Sequence, residues 1–180
     1  ERMGERYVKG QGVSKVANEA SKWYRMALDQ FQKQAEQDNS YGMYKIGEYY
    51  ANGWGVTQDI AQALMWYRKA AEKGSPAAMN CIGRCCELGV GIPRDIVEAA
   101  KWYRKGAEAG NTDSMFNLAL FYANGAGGAK DDAEAFKWYC KAADKLDAGA
   151  MWEIAICYLQ GKGIERDTDK SAQWCRKAAL

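Results

Sequence analysis

The sequence predicts an all-α solenoid built from repeated two-helix units. Three observations predict it. A Trp-Tyr pair recurs every 36 residues, at Trp66-Tyr67, Trp102-Tyr103 and Trp138-Tyr139, and Trp174-Cys175 continues the series. Small and apolar residues keep the same phase: Met43, Met79, Met115 and Met151; Ile46, Ile82, Leu118 and Ile154; Gly47, Gly83, Ala119 and Ala155. A glycine pair followed by an aspartate punctuates each period, as in Gly53, Gly55 and Asp59. Agreement at so many positions over four periods is the signature of stacked repeats.

Each period reads as helix, glycine loop, helix. Met43, Ile46, Gly47 and Tyr50 fall at i, i+3, i+4 and i+7, one face of a first helix. In the other units Cys86, Tyr122 and Tyr158 stand where Tyr50 does. The glycines (53/55, 89/91, 125/127, 161/163) end that helix and permit positive φ. Asp59, Asp95, Asp131 and Asp167 stand where an N-cap belongs, before a second helix carrying Ala63, Tyr67 and Ala70 on its buried face. Gly47 and Ala63 let the two helices approach, and the tyrosine fills the remaining space. The repeated Trp-Tyr pairs are read as packing residues.

The first unit departs from the period. Trp23-Tyr24 lies 43 residues before Trp66-Tyr67, seven more than the repeat. The stretch from Arg25 to Ser40 has neither proline nor glycine, so it reads as a second helix lengthened by two turns and projecting beyond its neighbours.

Composition narrows the function. The 180 residues are 48% hydrophobic and 27% charged, which argues for a folded domain. Lysine plus arginine number 25 against 23 acidic residues, so there is no broad basic face for nucleic acid and no polybasic membrane patch. No apolar run approaches the ~20 residues needed to span a bilayer. The chain opens on Glu1 and stops at Leu180 without a polar capping helix, so the expectation is either a longer natural protein or an end that meets another molecule.

Catalytic and metal chemistry has little to stand on. With no histidine, a Ser-His-Asp or Cys-His arrangement and any histidine-ligated metal are excluded. Gly-x-Gly loops such as GWGV (53–56) and GVGI (89–92) lack the Gly-Lys-Ser/Thr ending of a phosphate loop and follow no strand, so they read as turns. Cys81, Cys85, Cys86, Cys140, Cys157 and Cys175 show no regular spacing. They read as small hydrophobes, which favours a reducing, cytoplasmic setting over an oxidising one; a periplasmic or secreted setting requires a removed leader. A thiol-based metal or redox protein is the competing reading, since Cys81 and Cys85 share a helix face. No cofactor and no enzymatic activity are expected.

The segment YGMYKIGEYYANGWGVTQDIAQALMWYRKAAEKG (41–74) resembles a Sel-1-like repeat, a relative of the tetratricopeptide repeat. Residues 41–145 match closely. Residues 146–180 match with Leu146 for the final glycine and Cys175 for tyrosine, and residues 1–40 match from about Gly4, with Val16 where the aspartate belongs. The resemblance implies a right-handed α/α solenoid of about five repeats, near 1–40, 41–76, 77–112, 113–148 and 149–180, forming a single array. It also implies a scaffold that binds another protein. A bacterial immunity or envelope-assembly adaptor for an effector is the more specific alternative.

By analogy with tetratricopeptide arrays, the first helices line a concave groove. The residues placed there are Tyr41, Tyr44, Glu48 and Asn52; Asn80, Arg84 and Glu87; Asp113, Phe116, Leu120 and Asn124; and Trp152, Ile156 and Gln160. Tyr44, Asn80, Phe116 and Trp152 form one in-phase row. Exposed aromatics around an arginine suit a protein interface. Two readings stand for Phe116, Leu120, Trp152 and Ile156: partner contact, or packing against neighbouring units.

Overall fold

The computed structural model describes residues 17–179, and the matches at Gly4 and Val16 lie outside them. Every regular element among the described residues is a helix: α1 (Ala17–Glu36), α2 (Ser40–Asn52), α3 (Ile60–Glu72), α4 (Pro76–Leu88), α5 (Ile96–Glu108), α6 (Thr112–Asn124), α7 (Asp132–Ala143), α8 (Ala148–Gln160) and α9 (Thr168–Ala178). This is the all-α solenoid class that the repeats announced. The chain divides into two compact units, residues 1–78 and 79–180, with the division inside α4.

The loops explain the repeated glycines and aspartates. Gly53, Gly125 and Gly161 cap first helices in the left-handed region, at φ 69°, 69° and 70°. The second glycine of the pair has a further duty at Gly55 and Gly127. A β-carbon on Gly127 would lie 3.0 Å from the carbonyl oxygen of Ile96, and one on Gly55 would lie 2.9 Å from the β-carbon of Tyr24. The loops at 53–56 and 125–128 thus lie against the second helices that precede them, too close for a side chain. The aspartates are N-caps. The carboxylates of Asp59, Asp95, Asp131 and Asp167 accept from the amides of Gln62, Glu98, Glu134 and Lys170 at 2.9–3.0 Å. Their own amides donate back to the carbonyls of Tyr50, Cys86, Tyr122 and Tyr158.

In the first unit α2 packs against both α1 and α3. Burial on two flanks changes the register of its core. Ile46 and Gly47 are buried as expected, but the fully enclosed tyrosine is Tyr49, while Tyr50 is only half-buried. Tyr49 turns toward α1, meeting Tyr24 and Phe31 edge-on at 5.9 and 5.6 Å. Gly47 turns toward α3, where a β-carbon would fall 2.5 Å from the Tyr67 ring. A single helical face was too narrow a description of a helix with two neighbours.

The long α1 corrects the expectation of a projecting end at 25–40. Stepping back 36 residues from Tyr67 reaches Phe31, not Tyr24. Phe31 is buried at that place. Tyr24 then corresponds to Ile60, the first residue of α3, yet α1 already begins at Ala17. The extra turns therefore lie at the start of α1. Its later half packs in register: Leu28, Phe31 and Ala35 are buried. A β-carbon on Gly42 would lie 2.7 Å from the Gln34 β-carbon, so this end lies tight on α2.

In the second unit α5, α6, α7, α8 and α9 pack each on the next. Tyr103 and Tyr139 fill the core at 0% and 2% exposure. Their tryptophan neighbours behave differently. Among the in-phase tryptophans of both units, Trp138 is buried, whereas Trp66, Trp102 and Trp174 are half-buried. Each indole carries the ammonium of the lysine three residues on: Lys69, Lys105, Lys141 and Lys177 lie 4.5, 4.5, 3.7 and 4.1 Å from the ring centroids. Tryptophan and lysine recur together because one turn of helix stacks them.

Candidate interaction surface

In the first unit the surface begins at a cap. The Asn39 side chain accepts from the amides of Tyr41 and Gly42 at 2.9 and 3.1 Å and starts α2. Tyr41, Tyr44, Lys45 and Glu48 then fall at i, i+3, i+4 and i+7. Tyr41 is 54% exposed, with its ring edge-on to Phe31 at 6.2 Å. Tyr44 lies 6.5 Å from Tyr41 and 6.1 Å from Tyr67. The Lys45 ammonium sits 5.7 and 5.8 Å from the Tyr41 and Tyr44 ring centroids and 2.8 Å from the Glu48 carboxylate. The structure thus brings three expected residues, Tyr41, Tyr44 and Glu48, into one cluster. Lys45 binds the cluster together and was not foreseen, although its spacing from Tyr41 and Glu48 was legible. Asn52 is occupied locally, donating to the Glu48 carbonyl at 2.8 Å.

In the second unit the expected residues separate into two kinds. Asn80 is 7% exposed, and its side-chain oxygen accepts from the Ser114 hydroxyl at 3.3 Å and the Asn117 amide at 3.1 Å. It joins α4 to α6 and is not an open groove residue, because a buried carboxamide needs partners inside the protein. Glu87 accepts from the Tyr103 hydroxyl at 2.6 Å. Burial, and then this bond to Glu87, push the Tyr103 phenol well above its usual range, so it stays a donor. Phe116 is half-buried, its ring 5.9 Å from that of Tyr139. Leu120 and Ile156 are half-buried beside Glu153 and Lys162 in a cleft of about 220 Å³. Arg84 lies exposed, as do Asp113, Asn124 and Gln160. Trp152 is 53% exposed.

Three of the thiols sit in surroundings that hold them protonated. Burial pushes the thiols of Cys85, Cys140 and Cys157 up, that of Cys157 to about 11, with Glu153 and Asp132 adding to the burial there. A raised thiol is neither a good nucleophile nor a ready metal ligand near neutrality. Among the described residues no three Cys, Asp or Glu gather as a metal site would need. None of the described helices is long and apolar enough to cross a membrane.

Comparison with known proteins identifies the repeat. The Sel1 repeat pattern matches residues 1–30, 40–75, 76–111, 112–145 and 148–180. A search of curated proteins returns no match. Among solved structures, a Sel1 repeat protein from Oxalobacter formigenes is 35% identical, with a TM-score of 0.80, covering 99% of this chain and 70% of its own. A protective antigen of uropathogenic Escherichia coli strains, described as displaying an SLR fold, is 36% identical, with a TM-score of 0.79, covering 99% of this chain and 37% of its own. This chain therefore spans little more than a third of that antigen. An immunity protein from Pseudomonas aeruginosa, 21% identical over 87% of this chain and 57% of its own, shares the fold at a TM-score of 0.58. Matches across all five repeats and two relatives above 30% identity agree with the glycine loops, aspartate caps and Trp-Tyr helices: the chain belongs to the Sel1 repeat family, whose members are protein-interaction scaffolds.

Proposed function

We propose that this chain binds a partner protein or peptide through solvent-exposed residues of its first helices. The observation that carries the reading is the pair of exposed aromatics there, Tyr41 and Trp152, each more than half open to solvent. Rigid amphipathic rings give large contact area at small entropic cost and anchor protein interfaces. Tyr44, Lys45 and Glu48 extend the contact around Tyr41, and Arg84 supplies an exposed cation in the second unit. Phe116, Leu120 and Ile156 are assigned to helix packing, and Asn80 to the network with Ser114 and Asn117. No catalytic step is assigned to the chain.

The test is an affinity capture from the source cell, comparing wild type with Tyr41→Ala/Trp152→Ala. Both side chains are exposed, so the double variant should keep its helicity. A partner held by the wild type and lost from the folded variant supports the reading. Equal retention by both removes this surface from consideration.

An adaptor that neutralises or positions a bacterial effector is a narrower version of the same reading. The immunity protein is 21% identical and shares the fold, so the likeness transmits architecture and not a partner. Co-purification with the product of an adjacent gene separates the two.

A further inference from the structure

The third glycine loop differs from its sisters at its fourth position. The others read Gly-Trp-Gly-Val (53–56), Gly-Val-Gly-Ile (89–92) and Gly-Lys-Gly-Ile (161–164), whereas this one reads Gly-Ala-Gly-Gly (125–128). Val56 and Ile92 are half-buried, and Ile164 is 36% exposed. Gly128 brings no side chain to that position. A β-carbon built on it would meet nothing within 4 Å, and its φ lies outside the left-handed region. A pocket of about 360 Å³ opens there, with Ala100 of α5 and Leu118 and Phe121 of α6 among its lining.

The rim has an unmatched charge. Lys130 is paired with Asp132 at 3.0 Å, and the Asp131 carboxylate caps α7 by accepting from the Glu134 amide at 2.9 Å. Arg104 is exposed and has no carboxylate partner among the described residues. Its guanidinium donates to the Tyr122 hydroxyl and lies 5.8 Å from that ring's centroid, which holds it at the pocket. The remaining donors of a guanidinium so placed suit a carboxylate.

We propose that this pocket is a docking socket for a partner protein segment that inserts a branched aliphatic side chain and sets an Asp or Glu beside it against Arg104. The aliphatic group enters beside Gly128, at the position where the sister loops carry a valine or isoleucine. The acid answers Arg104, which has no carboxylate partner among the described residues. The socket does not depend on Tyr41 or Trp152, and either surface can fail alone.

The test is a selection of displayed random dodecapeptides on the wild-type chain, counter-selected on Gly128→Ile. That variant restores the sister loops' side chain, and the open space and ordinary φ at Gly128 let it fold. The expected winners carry Ile, Leu or Val within four positions of Asp or Glu. A synthetic winner should bind Gly128→Ile at least about tenfold more weakly, the loss from one unburied aliphatic side chain. It should bind Arg104→Gln about three- to tenfold more weakly and Tyr41→Ala/Trp152→Ala as well as wild type. Failure to enrich any peptide, winners without an aliphatic residue, or equal binding to wild type and Gly128→Ile would each overturn the socket. Winners indifferent to Arg104→Gln would overturn the role of Arg104.

Discussion

Gly106 and Ser114 share one space. A β-carbon on Gly106 would lie 3.0 Å from the Ser114 β-carbon and closer still to its hydroxyl. Ser114 is fully buried and uses that hydroxyl to reach Asn80. The corresponding pairs in the flanking repeats are Ala70 with Ala78 and Ala142 with Ala150, all buried. One repeat has moved its volume from α5 to α6, placing a glycine and a serine where its neighbours have two alanines.

This exchange makes a coupled pair. Gly106→Ala alone should destabilise the protein by about 1–3 kcal/mol through overpacking. Gly106→Ala/Ser114→Ala restores the pair used by the sister repeats and should recover much of that loss. Urea unfolding of both single variants and the double measures the coupling, and additive effects would show that the two residues do not compete for space.

Cys157 sets an alkaline limit. Its thiol titrates near 9 when unfolded and at about 11 in the folded protein. A group whose folded value is raised contributes stability that is complete below the unfolded value and lost as pH rises toward the folded one. Stability should therefore hold to about pH 9 and fall between pH 9 and 11, by about 1–2 kcal/mol from this thiol. The buried phenols of Tyr103 and Tyr139, also raised, extend the fall to higher pH. Melting curves across this range should be flatter for Cys157→Val. Parallel curves for wild type and variant would assign the alkaline loss elsewhere.

Leu146 stands where the sister turns have Gly74 and Gly110. It adopts a left-handed φ of 65° and is 83% exposed. A non-glycine residue in that conformation carries about 1–2 kcal/mol of strain, part of which glycine returns as extra freedom in the unfolded chain. Leu146→Gly should still raise stability by about 0.5–1 kcal/mol, read as a higher melting temperature. A lower one would mean that Leu146 makes stabilising contacts despite its exposure.

The bond from Tyr103 to Glu87 can be removed without changing the ring. Tyr103→Phe should cost about 1–2 kcal/mol, because a part-buried carboxylate loses its donor. Denaturant unfolding checks this, and an unchanged midpoint would mean that water replaces the hydroxyl at no cost.

Helix order, loop positions and caps were legible because each depends on a local rule repeated four times. A helix needs an N-cap at Asp59 or Asp95 and a left-handed stop at Gly53 or Gly125, and neither requirement consults the rest of the fold. The surface was less legible. Position alone put Asn80 in a row with Tyr44, Phe116 and Trp152, yet Asn80 is buried and Trp152 open. The difference lies in what each meets on the neighbouring helix, Ser114 and Asn117 in one case and solvent in the other.

The sequence by itself determined the repeat, the helical class and the absence of histidine chemistry. Periodicity, caps and composition are properties of the chain before it folds. Only the tertiary structure decided that Phe31 stands in the place of Tyr67, that Tyr49 rather than Tyr50 fills the first core, that Lys45 ties Tyr41, Tyr44 and Glu48 together, and that Gly128 leaves a pocket beside Arg104. Each of these depends on which side chains from different helices share a volume, and close packing settles that only when the helices meet.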